Sequence, residues 1–119
     1  MLTHAQAERF AQGWIDAWNS HDIEAILAHY GDDFELATPY LVHTGTSIAG
    51  RLRGKDAIGA FWQAGLKRLP DLRFELIAVF TGVHSLALHY RGAQQRMAVE
   101  TFEFDSAGRV IRTTAHYAE

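Results

Sequence analysis

The chain has 119 residues, 48% of them hydrophobic and 21% charged, which is one soluble globular domain's worth and too little for two. A net charge of −3 with no basic stripe excludes a nucleic-acid footprint, and no apolar run reaches the roughly 20 residues of a membrane span. The absence of cysteine removes disulfides, thiolate metal sites and cysteine nucleophiles, and fits a cytoplasmic protein. The segment from Met1 to Arg9 lacks a charged stretch leading into an apolar one, so no signal peptide is expected.

Thr3 followed by Gln6 reads as a capping box opening a helix, and Ala7, Phe10, Ala11, Trp14 and Trp18 give it one apolar stripe up to about Asn19. Ser20 to Asp22 supplies a fresh N-cap, and Ile23, Ile26, Leu27 and Tyr30 form a second, shorter stripe with Gly31 as its C-cap. Asp33 to Thr38 reads as a strand with Phe34, Leu36 and Thr38 on one face, stopped or placed at an edge by Pro39. From Tyr40 to Arg53 the pattern dissolves into a loop or ragged hairpin. Gly54 to Leu69 is a third helix, with Ile58, Phe61, Trp62, Leu66 and Leu69 on one side, ended by Pro70-Asp71.

Only strand signals follow: Leu72 to Phe80, His84 to Arg91, Arg96 to Asp105 and Arg109 to Tyr117, with turns at Thr81-Gly82, Gly92-Ala93 and Ser106-Ala107-Gly108. Strands joined by such short turns form an antiparallel meander. Helices preceding a meander give an α+β fold, here a single domain over 1–119. The expected architecture is a cone-shaped barrel: three N-terminal helices packed on a strongly curved, mostly antiparallel sheet, with a cavity between. The sheet's outer face, carrying Ala87, His89, Arg91, Val99, Thr101 and His116, is left to water or a partner.

Three motifs carry a family resemblance: His21-Asp22-Ile23-Glu24-Ala25-Ile26 with Tyr30-Gly31-Asp32-Asp33-Phe34; Arg53-Gly54-Lys55-Asp56-Ala57-Ile58 with Phe61-Trp62; and Glu100-Thr101-Phe102-Glu103-Phe104-Asp105 with Gly108-Arg109-Val110. In this order they resemble the ketosteroid-isomerase-like and SnoaL-like domains of the nuclear transport factor 2-like superfamily. That superfamily hosts isomerases, cyclases, hydrolases, dehydratases and non-enzymes, so the resemblance speaks to fold and leaves open whether the chain is an enzyme. It also implies a homodimer built through the sheet. In ketosteroid isomerase the carboxylate general base stands just before a proline on the first strand; the matching position is Thr38. The acid of the oxyanion hole matches Glu100, its tyrosine partner matches Trp14, and two supporting tyrosines match Tyr30 and Trp62. The segment from Leu41 to Leu52 is longer than in those isomerases.

Glu100 shares a strand face with Phe102 and Phe104, so its carboxyl is expected inside and partly neutral, able to donate a hydrogen bond or act as an acid or base. The candidate catalytic residues are Glu100 and Tyr30. The candidate ligand-binding residues are Trp14, Thr38, Trp62, Phe34, Phe61, Phe102 and Tyr117. Seven histidines occur without a recognised metal spacing, and no Gly-x-Ser-x-Gly elbow is present, so no metal and no cofactor are expected. Two functions are open: a pocket for a small hydrophobic, oxygen-bearing molecule with acid/base chemistry through Glu100, or a non-catalytic dimeric binding or scaffold module. In neither is efficient ketosteroid isomerisation expected.

Overall fold

A computed structural model describes residues 2–119; Met1 lies outside them. Helix α1 spans His4–Ser20 and opens on the expected capping box: the Gln6 N–H donates to Thr3 Oγ1 (3.1 Å) and the Thr3 N–H to Gln6 Oε1 (2.8 Å). It ends at His21, which adopts the left-handed conformation (φ 60°). Asp22 caps the short α2, Ile23–Leu27, by accepting the Glu24 N–H at 3.0 Å.

Tyr30 was expected on this second helix. Instead α2 stops at Leu27 with Ala28 as its C-cap, and Tyr30 opens strand β1, Tyr30–Ala37. The Val110 N–H donates to the His29 carbonyl (3.0 Å), so ladder pairing captures this stretch before another helical turn can form. Gly31 accordingly lies in the strand and caps nothing.

The Tyr40–Arg53 stretch also holds more order than its sequence suggests. Pro39 stops β1 by becoming the first residue of a one-turn helix, α3 (Pro39–His43), with Thr38 as N-cap. A three-residue strand, β2 (Arg51–Arg53), then returns antiparallel to β1, pairing Glu35 with Arg53 and Ala37 with Arg51. Gly54, at φ 92°, ψ 148°, makes the turn from β2 into α4 (Lys55–Arg68) in a conformation open mainly to glycine.

Strands β3 (Glu75–Thr81), β4 (Ser85–Arg91), β5 (Met97–Phe104) and β6 (Val110–Tyr117) form the expected meander. The six-stranded order is β2-β1-β6-β5-β4-β3, antiparallel throughout except for the parallel β1–β6 pair. Register shifts at Tyr30/Glu35, Leu76/Ala78 and Glu103/Phe104 act as bulges that bend it. The fold is thus α+β, with four α-helices among the described residues on a six-stranded, mostly antiparallel sheet, the single turn α3 being the one beyond the three expected.

Alternation along each strand sorts the two faces. Leu86, Leu88 and Tyr90 of β4, Ala98, Glu100 and Phe102 of β5, and Thr113 and Ala115 of β6 are buried. Their neighbours Val99, Thr101, Glu103, Arg112 and His116 are exposed on the other side. There Glu35 meets Arg51 (3.2 Å), Arg53 (2.9 Å) and Arg112 (3.9 Å), and Arg112 also pairs with Glu103. Inside, Trp14 of α1 lies edge-on to Tyr90 (5.1 Å between centroids) and Phe102 (5.3 Å). Among the described residues no helix is long and apolar enough to cross a membrane.

Candidate functional site

A cavity of about 410 Å³ opens between α1, α4 and the inner face of the sheet. Trp14 and Trp18 of α1, Phe61, Trp62 and Leu66 of α4, and Phe74 give it an apolar wall. Helical spacing aims the two α1 indoles and the α4 aromatics at the same space. The polar groups gather toward the sheet: Glu100, Tyr90, Tyr117 and Thr38. Arg68, Thr44 and Gln94, all exposed, form part of the rim.

Glu100 is only 5% exposed. Its pairing opposite Leu88 on β4 and Ala115 on β6 sets it among apolar side chains. Both carboxyl oxygens accept hydrogen bonds: Tyr90 Oη donates to Oε1 at 2.8 Å and Thr113 Oγ1 to Oε2 at 2.7 Å. Burial pushes the carboxyl above its ordinary range, and the bonds from Thr113 and Tyr90 pull only part of the way back. The phenols of Tyr30, Tyr90 and Tyr117 are all pushed up, first by burial and then by the charge that Glu100 would carry, so at neutral pH they remain hydrogen-bond donors.

Of the residues singled out from sequence, Glu100, Trp14, Thr38, Trp62, Phe61 and Tyr117 come together on the cavity wall. Tyr30, Phe34 and Phe102 do not. Trp62 lies over Tyr30 and Phe34 (ring centroids 5.2 and 5.7 Å) and Trp14 over Phe102, so the indoles screen all three. The three are 0–1% exposed and pack the layer behind the wall. Trp14 differs from its expected role in one respect: its indole N–H donates to Tyr30 Oη at 2.8 Å and is consumed inside the protein. Thr38 Oγ1 accepts the Tyr40 N–H (3.3 Å) as the cap of α3.

Sequence reasoning missed Tyr90 and Thr113 as the partners of Glu100. The signal was present in the alternation of β4 and β6, but using it requires the register. In the β4–β5 hairpin that register depends on a loop where Gly92 N–H donates to the Arg96 carbonyl (2.7 Å) around a 3₁₀ turn, Ala93–Gln95. Among the described residues no group of three or more histidine, aspartate or glutamate side chains stands in an arrangement that could hold a metal ion.

The SnoaL-like domain family matches residues 11–118. Among solved structures, a SnoaL-like protein of unknown function from Burkholderia thailandensis E264 is 50% identical, with a TM-score of 0.95 and 98% of each chain covered. A candidate isomerase of the SnoaL-like family from Agrobacterium tumefaciens C58 is 16% identical at a TM-score of 0.77, over 97% of this chain and 99% of the other. A candidate ketosteroid isomerase from Kribbella flavida is 18% identical at a TM-score of 0.73, over 97% of this chain and 79% of the other. The last two likenesses concern the fold alone. No curated protein matches the sequence. Three matched motifs in register, the cone of helices on a bent sheet, and a family match over almost the whole chain place this protein in the SnoaL-like domain family, on the nuclear transport factor 2-like fold.

Proposed function

We propose that the cavity binds a small, mostly apolar molecule carrying an oxygen, and that Glu100 is its polar anchor. The observation that carries this reading is a carboxyl 5% exposed on the wall of a mostly apolar cavity, with both oxygens already accepting hydrogen bonds. Burial favours the protonated form of a group so placed, and when it carries its proton that proton is the hydrogen bond left to give. A carbonyl oxygen is the natural acceptor, and the same proton would make Glu100 a general acid. The volume, about 410 Å³, lies toward the lower end of the roughly 300–1,000 Å³ of small-molecule pockets.

Binding without turnover is the second reading, and Thr38 favours it: the hydroxyl at the position matched to the isomerase base has no carboxylate to activate it. Both readings predict binding, which two probes of one shape test. Quenching of tryptophan fluorescence by 2-acetonaphthone should report an affinity about tenfold tighter than that for 2-ethylnaphthalene, the worth of one net hydrogen bond. The difference should shrink as rising pH ionises Glu100. Equal affinities at every pH would remove Glu100 as the anchor.

We also propose a homodimer through the sheet's outer face, where Val99 and Ile111 are 40% and 42% exposed amid Thr101, Thr114 and His116. Light scattering at micromolar concentration should give the mass of two chains. A one-chain mass would contradict it.

A further inference from the structure

The cavity's polarity is arranged in a gradient. Among the described residues only two that line it bear ionisable carboxyl or guanidinium groups: Glu100 deep inside and Arg68 at the rim. Arg68 stands in the last turn of α4, exposed, and none of the described ion pairs includes it. Its guanidinium reaches back over Gly65, another lining residue: a Cβ placed on Gly65 would stand 3.9 Å from Arg68 Nη2. A Cβ there would make only ordinary van der Waals contact, so the distance places the guanidinium along the Gly65 face of α4, which lines the cavity.

Gln94 borders the same mouth from the β4–β5 loop. Gln94 and Gln95 hold φ 57° and 66°, so two successive residues with Cβ atoms occupy the left-handed region. Such strain costs on the order of 1 kcal/mol or more per residue and persists where surroundings impose it. Here it holds Gln94 on the rim of the same cavity that Arg68 lines, and among the described residues Arg68 has no ion-pair partner.

We propose that the ligand is a small apolar carboxylic acid, bound with its anion at the rim against Arg68 and Gln94 and its apolar body among the tryptophans. This rests on the pocket reading above and adds the ligand's charge and orientation. An anion inside the aromatic wall would lose its hydration without a cation to replace it, and would face the Glu100 carboxyl. At the rim it stays partly hydrated and meets a planar guanidinium suited to two parallel hydrogen bonds. The far end of the ligand then reaches Glu100, where a second, neutral oxygen is accommodated. The competing role for Arg68, favouring the carbonyl end of α4, would affect stability and leave ligand choice untouched.

The test uses 1-anilinonaphthalene-8-sulfonate and N-phenyl-1-naphthylamine, which share an apolar body and differ by one anionic group. Energy transfer from the cavity tryptophans reports binding. Arg68→Gln should weaken the sulfonate about fivefold, as expected for one partly exposed ion pair, and change the neutral probe less than twofold. Arg68→Lys should recover most of the loss, and half-molar salt should weaken only the sulfonate in the wild type. Equal changes for both probes in Arg68→Gln, or none for either, would overturn the assignment of the rim while leaving the acetonaphthone result standing. Failure of every apolar probe to bind the wild type would overturn the pocket reading together with this one.

Discussion

Wild-type protein should show no efficient double-bond migration in a β,γ-unsaturated ketosteroid, and Thr38→Asp should add a small but measurable rate. The reaction needs a base within about 3 Å of a carbon-bound proton. Thr38 is on the cavity wall, 7% exposed, but a hydroxyl is too weak a base to take a carbon-bound proton there. Its oxygen already accepts the Tyr40 N–H. The nearest acid in the strand, Glu35, points to the other face and is held by Arg51 and Arg53. Missing base catalysis costs about 10²- to 10⁴-fold. The oxyanion side is weak as well, because the Trp14 N–H is committed to Tyr30. Loss of one such donor costs roughly a further 10²- to 10³-fold where the effects are separable. Aspartate is as good an N-cap as threonine or better, so the variant should keep α3 folded. Robust turnover by the wild type would show that another residue supplies the base.

The second large effect concerns stability and pH. Glu100 holds its proton more tightly folded than unfolded. Between the unfolded value, near the ordinary 4.5, and the higher folded value, the native state binds more protons than the unfolded chain. Stability therefore falls as pH rises through that window, by about 1.4 kcal/mol for each unit separating the two values. Glu100→Gln keeps the shape and an acceptor for Tyr90 but has no proton to lose. The variant should match or slightly trail the wild type at pH 4 and overtake it at pH 8, as read by urea unfolding. Parallel pH profiles for the two proteins would mean that Glu100 titrates alike in both states.

How much of this was legible beforehand divides along physical lines. Helix α1 was readable because its capping box and its Trp14/Trp18 stripe are local signals. The inward aspect of Glu100 was readable because strand alternation is local too. Tyr30 falls on the helical stripe in the sequence, but its strand state is decided by β6, which lies about 80 residues away. Strand β2 is not legible because Arg51-Leu52-Arg53, though alternating, is too short to establish a period; its arginines are held by Glu35 across the ladder. The partners of Glu100 depended on the register of two hairpins, and the separation of Phe34 and Phe102 from the cavity depended on which indole lies over which ring. Neither follows from periodicity, since both faces of a packed layer read as equally apolar.

The central claim is that Glu100 is a buried, proton-bearing anchor for an oxygen of the ligand. It is tested most directly by a carbon-13 titration of the side-chain carboxyls, with Glu100→Gln assigning the resonance, recorded with and without 2-acetonaphthone. The account expects Glu100 to titrate above the ordinary 4.5, and to move higher still when the ketone is bound, because the bound oxygen stabilises the protonated form. A midpoint near the ordinary value, unmoved by the ketone, would contradict it.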